Sequence, residues 1–369
     1  MNSSNLAATD LTPRNRILRT LRGESPADFA FDFDPTPPVR AALEEGGYPV
    51  PGDVERLWVT PVQAERAWER AYAAAGIVLP QPCEVFYTGI VQRIPSAESV
   101  GAASHLRELF HPLAGLDDVE TVRQLPWPDF TDPVHYRNLR ADVAAIHARG
   151  HAAYGNMECS LFEHTWYLRG MEDVFVDLMD DDADSVTHWL LDYFTERSIQ
   201  VTHAYAEAGV DVIGLGDDIG TQRGMLLSPD LWRAQIKPRL ARIIGVLRTA
   251  FPERPPWIRY HSDGDIRDVI PDLIEIGVDI LNPLQSECMP VEEVIRAYGD
   301  RLAFWGMIGT QSTLPFGTPD EVRRDAEQLV RLAREGFRLV IAPTHVVEPD
   351  VPLENILALT ETLGNASHA

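Results

Sequence analysis

The chain lacks most of the features that would declare a class at once. It has only three cysteines, Cys83, Cys159 and Cys288, with no C-x-x-C and no paired spacing. A disulfide framework is therefore not expected, and a reducing cytoplasm is the default location. No stretch approaches the roughly 18 unbroken apolar residues of a membrane span. Residues 1–10 are polar and lack the apolar core of a signal peptide. No G-x-G-x-x-G follows any strand-like segment, which weakens the case for an open, doubly wound nucleotide-binding sheet. Positive charge is in deficit: 32 Lys and Arg stand against 56 Asp and Glu, a formal net charge of −24. That balance argues against a nucleic-acid surface and against anionic membranes.

What is present points to one large α/β domain. Of 369 residues, 45% are hydrophobic, enough for a sizeable core. The length suits a single α/β barrel with extensions. Residues 1–10 read as a disordered tail and 11–369 as the domain. Thr12-Pro13 opens a helix as N-cap and first helical residue, with Ile17, Leu18 and Leu21 on one face and Gly23 past its end. Strands are expected over 29–33 and 83–90, a helix over 62–75, and a proline-rich loop or lid over 111–133. Beyond residue 134 the pattern becomes a regular β-then-α alternation. Its strands fall at 152–155, 210–215, 257–261, 279–282, 302–306 and 338–342, with long helices over 161–179, 185–208 and 229–250 between them. With the two earlier strand candidates, 29–33 and 83–90, these six bring the count to eight, which implies a parallel sheet closed into a (β/α)8 TIM barrel.

The most informative stretch is W-I-R-Y-H-S-D-G at 257–264. His261 and Asp263 lie two apart just past a strand, so their side chains point the same way. An isolated His-x-Asp more often caps a helix or satisfies a buried carbonyl. In a barrel, however, the active site lies at the carboxyl ends of the strands. Those ends carry Asn156 and Glu158, Asp217 and Asp218, His261 and Asp263, Asn282 and Gln285, Thr310 and Gln311, and Thr344 and His345. Any one could be a turn or cap residue; together they describe a polar pocket. His261, Asp263 and His345 form a ligand set common for a catalytic divalent metal that keeps an open position. Without metal the same groups could do acid–base work, Asp263 setting the tautomer of a histidine. Cys288 is a possible soft ligand, though an unused thiol is the commoner role. Asp217 and Asp218, adjacent after a strand, must diverge, one entering the pocket while the other caps or turns.

Several blocks together resemble the uroporphyrinogen decarboxylase superfamily, which also holds cobamide-dependent methyltransferases. They are T-P-R-N-R-I-L-R-T-L-R-G-E near the start, G-D-D-I-G-T-Q-R-G, S-P-D-L-W and K-P-R-L between 216 and 240, and Y-H-S-D-G at 260–264. G-V-D-I-L-N-P-L-Q (277–285), Y-G-D-R-L-A-F-W-G (298–306) and A-P-T-H-V-V-E-P-D-V-P-L-E-N-I (342–356) complete them. The resemblance implies the same (β/α)8 fold. True uroporphyrinogen decarboxylases carry an R-Q-A-G-R-Y segment that grips the substrate's carboxylates; F-D-F-D-P-T-P-P-V-R stands here instead. The methyltransferase branch binds zinc through His-x-Cys and a distant Cys. Here His261 matches the His, Asp263 stands at the first Cys and His345 near the second.

Three functions follow as expectations. The first is metal-dependent methyl transfer at a zinc-type site, with a corrinoid or corrinoid protein as methyl partner and Asp217, Asp218, His261 and His345 as catalytic residues. Asn156, Glu158, Asn282, Gln285 and Gln311 would bind the small substrate. The second is a decarboxylase or other lyase without corrinoid, in which Asp217 or Asp218 would stabilise developing positive charge and His261 or His345 would supply a proton, and the third a non-catalytic binding barrel.

Overall fold

The structure, a computed structural model, describes residues 12–24, 29–50, 52–64, 66–94, 108–180 and 184–367. The expected N-terminal tail, 1–10, lies outside the described residues. Eight strands form one parallel sheet: β1 (Ala30–Phe31), β2 (Val54–Leu57), β3 (Ala152–Glu158), β4 (Val212–Gly216), β5 (Trp257–His261), β6 (Ile280–Asn282), β7 (Ala303–Ile308) and β8 (Leu339–Pro343). Their order in the sheet is β1-β8-β7-β6-β5-β4-β3-β2, so chain neighbours are sheet neighbours from β2 to β8. The sheet curls until its edge strands approach, the Asp53 N–H donating to the Phe31 carbonyl at 3.0 Å. No β-ladder joins those edges among the described residues, so the continuous closed ladder expected from sequence is not observed.

Two layers of core hold this sheet. Inside the curl, Ala30, Ala152, Ala303 and Ala342 leave room for Tyr154 and Trp305. Gly214 is part of the same packing, since a Cβ there would strike the Tyr154 ring. The amino-terminal end is plugged by the helix Pro13–Arg22, which buries Ile17 and Leu21 against this inner layer. Its start follows the sequence logic: the Thr12 side chain accepts from the Asn15 N–H and Gly23 takes the left-handed conformation after its end. Arg14 and Arg16 then tie the plug to Asp211 and Asp53. Outside, helices such as Val186–Ala208 and Pro319–Arg334 bury apolar faces in the second, larger core.

Three expectations are corrected. Cys83–Val85 is not a strand of the main sheet; it pairs antiparallel with Val91–Arg93, which pairs with Leu109–Phe110, in a small separate sheet. The second main-sheet strand is V-E-R-L at Val54–Leu57, charged at two of four positions. Both charges are satisfied by partners distant in sequence: Arg56 by Asp32 at 2.6 Å, Glu55 by Arg149 and His151. The long helices expected over 161–179 and 229–250 are each broken, at Gly170 and before Pro238. Gly170 adopts φ 87, and Pro238 cannot donate an intrahelical hydrogen bond.

Tyr205, on the helix Val186–Ala208, joins β2 to β3. Its hydroxyl lies 2.9 Å from the Leu57 carbonyl and 3.1 Å from that of Asn156, and it accepts from the Val59 N–H at 3.1 Å. Tyr205→Phe is expected to lower stability by about 1–3 kcal/mol, because buried backbone groups lose their partner. Urea denaturation measures this; an unchanged midpoint and slope would mean the seam does not depend on that hydroxyl.

Candidate active site at the carboxyl ends of the strands

Parallel register brings the site together. Glu158 at the end of β3 stands opposite Gly216 of β4, Gly216 opposite His261 of β5, and His261 opposite Asn282 of β6. Above this row opens a cleft of about 700 Å³ lined by Glu158, Glu163, Asp218, His261, Asp263 and His345 among others. A larger cleft, about 870 Å³, lies at the opposite end around Arg14, Asp211, Trp257 and Asp279. It borders the amino-terminal ends of the strands, away from the converging side chains, so the smaller cleft is the candidate site.

His261 is oriented by Asn282. The buried Asn282 side-chain amide donates to the Trp305 carbonyl at 2.7 Å, so its oxygen faces His261 Nδ1 at 2.6 Å. Nδ1 must then carry a proton, which leaves Nε2 aimed at the cleft, 3.5 Å from Asp218 Oδ1. Burial would push the imidazolium down, but Glu158, Asp218 and Asp263 outweigh it and His261 is raised to about 9.

Asp217 and Asp218 diverge. Asp217 is fully buried and accepts from the N–H groups of Leu161 and Glu163, at the start of the helix Phe162–Arg169. Its carboxyl is a helix cap, pushed well up by burial and the charge of Glu163. Asp218 faces the cleft and accepts from the Asp263 N–H at 2.7 Å.

The segments carrying Asp218 and Asp263 are held against each other by a crossing of two glycines. A Cβ on Gly220 would lie 2.6 Å from the Asp263 carbonyl oxygen, and one on Gly264 would lie 2.5 Å from Thr221 N. Only bare backbone permits this approach, and Gly264 also has φ +85. The Asp265 N–H donates to the Thr221 carbonyl across the contact, and Gln285 accepts from the Gly264 N–H at 2.9 Å.

One ligand atom each of Asp218, His261 and Asp263 lies within 4.8 Å of the other two, an arrangement able to hold a metal ion. Asp263 Oδ1 is buried without a hydrogen-bond partner, a position that a cation would satisfy. Burial, with Asp218 and Glu158 against His261, raises the Asp263 carboxyl to about 6. Glu163, which accepts from the Asp218 N–H, is raised to about 7 by burial and the charge of Asp218. The donor set therefore fits a divalent ion. It differs from the set expected from sequence by including Asp218; the His345 ring centroid stands 6.5 Å from that of His261.

Other sequence-derived candidates take supporting positions. Asn156 accepts from the Glu158 N–H at 2.9 Å. Glu158 pairs with Arg259 and accepts from the Tyr154 hydroxyl at 2.9 Å. Burial would raise the Glu158 carboxyl, yet Arg259, His261 and Arg56 hold it at about 2. Gln311 lies at the rim, its oxygen accepting from Gln222. Thr310 and Thr344 bond each other through their hydroxyls at 3.0 Å. Cys288 is a free thiol outside the metal-capable group, pushed by burial to about 11. Sequence reasoning missed Glu163, which follows the strand by a turn, and Arg259. The same period-two rule that links His261 to Asp263 also reaches back to Arg259, two residues before.

A curled eight-stranded parallel sheet with a cleft of convergent ionisable groups at its carboxyl end is a TIM-like α/β architecture. Within it, the family model for uroporphyrinogen decarboxylase (URO-D) matches residues 164–365, more than half the chain. The chain belongs to the uroporphyrinogen decarboxylase family. It is 30% identical over 169 residues to a methylcobamide:CoM methyltransferase, MtaA, of Methanosarcina barkeri, 46% of each chain. It is 27% identical over 183 residues to a uroporphyrinogen decarboxylase of Coxiella burnetii, 49% of this chain and 48% of that one. The chain thus spans about half the length of the curated relatives it matches. A solved methyltransferase structure from Methanosarcina mazei superposes with a TM-score of 0.64 at 20% identity, over 96% of this chain and 99% of that one. That likeness is one of fold. Among the described residues no helix is long and apolar enough to cross a membrane.

The two adjacent aspartates are expected to separate cleanly in stability. Asp217→Ala leaves two buried N–H groups without an acceptor and should cost about 2–4 kcal/mol. Asp218→Asn keeps an acceptor for Asp263 and should stay within about 0.5 kcal/mol of wild type. Thermal unfolding of both variants decides; equal losses would contradict the division of roles.

Proposed function

We propose that this protein is a metal-dependent methyltransferase, built on a closed (β/α)8 barrel, whose divalent ion is held by Asp218, His261 and Asp263. The observation that carries this reading is the convergence of those three donors around the unpartnered Asp263 Oδ1. The resemblance to a methylcobamide:CoM methyltransferase supports methyl transfer as the reaction and a corrinoid as methyl partner. Zinc suits an imidazole and two carboxylates with an open position for substrate.

A divalent ion bound there would supply Lewis-acid chemistry, lowering the pKa of a substrate heteroatom. The chain's own residues do the rest. Asn282 fixes the His261 tautomer so that Nε2 is the donor. The Asp263 N–H holds the Asp218 carboxylate in place. Glu163, raised to about 7, lies in the same cleft, with its position fixed by the Tyr167 hydroxyl at 2.6 Å and the Asp218 N–H at 3.1 Å. It is the group suited to take a proton from the substrate at neutral pH. His345 completes the cleft wall beside His261.

A second reading is proton transfer without metal, as in a decarboxylase. The direct approach of His261 Nε2 to Asp218 Oδ1 at 3.5 Å favours it, because an imidazolium–carboxylate pair needs no ion between its members.

Elemental analysis of protein purified without a histidine tag separates the two. Wild type is expected to carry about one ion per chain. His261→Ala and Asp218→Asn should each weaken metal binding by at least about 100-fold, and His345→Ala by less. Negligible metal in the wild type, with activity intact, would leave the acid–base reading in its place.

A further inference from the structure

We infer that the carboxyl-end cleft selects a small organic cation, an amine or ammonium compound, over an anionic substrate. This rests on the reading of that cleft as the active site and names its substrate class. The charged groups lining the cleft are Glu158, Glu163, Asp218, Asp263, Glu348 and Asp350, with His261 and His345; among the described residues no lysine or arginine lines it. The two arginines beneath it are taken up, Arg259 by Glu158 and Arg56 by Asp32.

Scarcity of arginine does not explain this. The larger cleft at the opposite end of the sheet gathers Arg14, Arg22, Arg140, Arg248 and Arg254. There the five arginines stand among four carboxylates, Glu207, Asp211, Glu253 and Asp279, whereas the described lining of the carboxyl-end cleft holds carboxylates without lysine or arginine, and a cleft walled by one sign of charge concentrates ligands of the other. An anion entering it would lose hydration against carboxylates that offer nothing in return. The multiply carboxylated substrate of the family's namesake enzymes would meet that penalty repeatedly. Trp166 and Tyr167 also line the cleft, their rings packed edge to face with centroids 4.4 Å apart. Aromatic surface beside carboxylates is the combination that receives an alkylammonium group.

The test is calorimetric titration of the full-length protein with three probes of one shape. They are choline, its uncharged carbon isostere in which tert-butyl replaces trimethylammonium, and the carboxylate tert-butylacetate. Each is titrated into zinc-loaded and chelator-treated protein, with metal content measured on the same samples. Choline is expected to bind at least about tenfold tighter than the neutral isostere, and the carboxylate most weakly. The rim variant Asp350→Asn should weaken choline by about threefold and leave the neutral isostere unchanged, its unfolding temperature being checked in parallel. Equal binding of choline and its isostere, tighter binding of the carboxylate, or no choline binding up to about 10 mM would overturn the inference. Metal content reports separately on the metal site, so selectivity for choline without metal would sink that reading and keep this one.

Discussion

The site depends on one close contact of backbone with backbone. Where Gly220 passes Gly264 there is no room for a Cβ on either side. That approach puts the Asp263 N–H on Asp218 and fixes two carboxylates beside His261. Each carboxylate belongs to a different β-to-α connection, and neither connection alone has a reason to lie where it does. The inter-strand register supplies the coarse alignment, placing Glu158, Gly216, His261 and Asn282 in one row. The glycine crossing supplies the fine one. Asn282 and Gln285, from the neighbouring strand and its connection, then lock the histidine and the glycine loop in turn.

Electrostatics gives that geometry its meaning. Burial pushes Asp263 and Glu163 up toward neutrality while Glu158, held by Arg259, goes down to about 2. Carboxylates in similar burial are thus driven apart by their partners, a pattern that marks functional sites more often than structural ones. His261, raised to about 9, is the main counter-charge within the cleft. A cation binding among these groups would replace repulsion with coordination, which is why the metal reading and the substrate-charge inference draw on the same imbalance without depending on the same measurement.

Much of this was legible in the sequence because it is local. The β-then-α alternation after residue 134, the cap at Thr12, and the His261-x-Asp263 spacing are written in short windows. The family resemblance, carried by blocks such as Y-H-S-D-G, pointed to the family whose model matches 164–365. What could not be read depends on partners far away in the chain. The strand Val54–Leu57 hides its nature because Glu55 and Arg56 are paid off by Arg149, His151 and Asp32. The strand expected at 83–90 has the right composition but pairs within the long excursion instead. Asp217 and Asp218 could be seen to diverge, but which one caps depends on where Leu161 and Glu163 offer their N–H groups. Asp218 joins the metal-capable group only through the glycine crossing, a contact between segments 44 residues apart in the chain.

The central claim is that oxygen and nitrogen, not sulfur, hold a divalent ion between Asp218, His261 and Asp263. X-ray absorption at the zinc edge of the loaded protein tests it most directly. The account predicts a single shell of nitrogen and oxygen scatterers at about 2.0–2.2 Å with an imidazole signature and no sulfur. A sulfur shell at about 2.3 Å, which would bring one of the three cysteines into the site, or an absorption spectrum of hydrated zinc with no protein ligands, would contradict it.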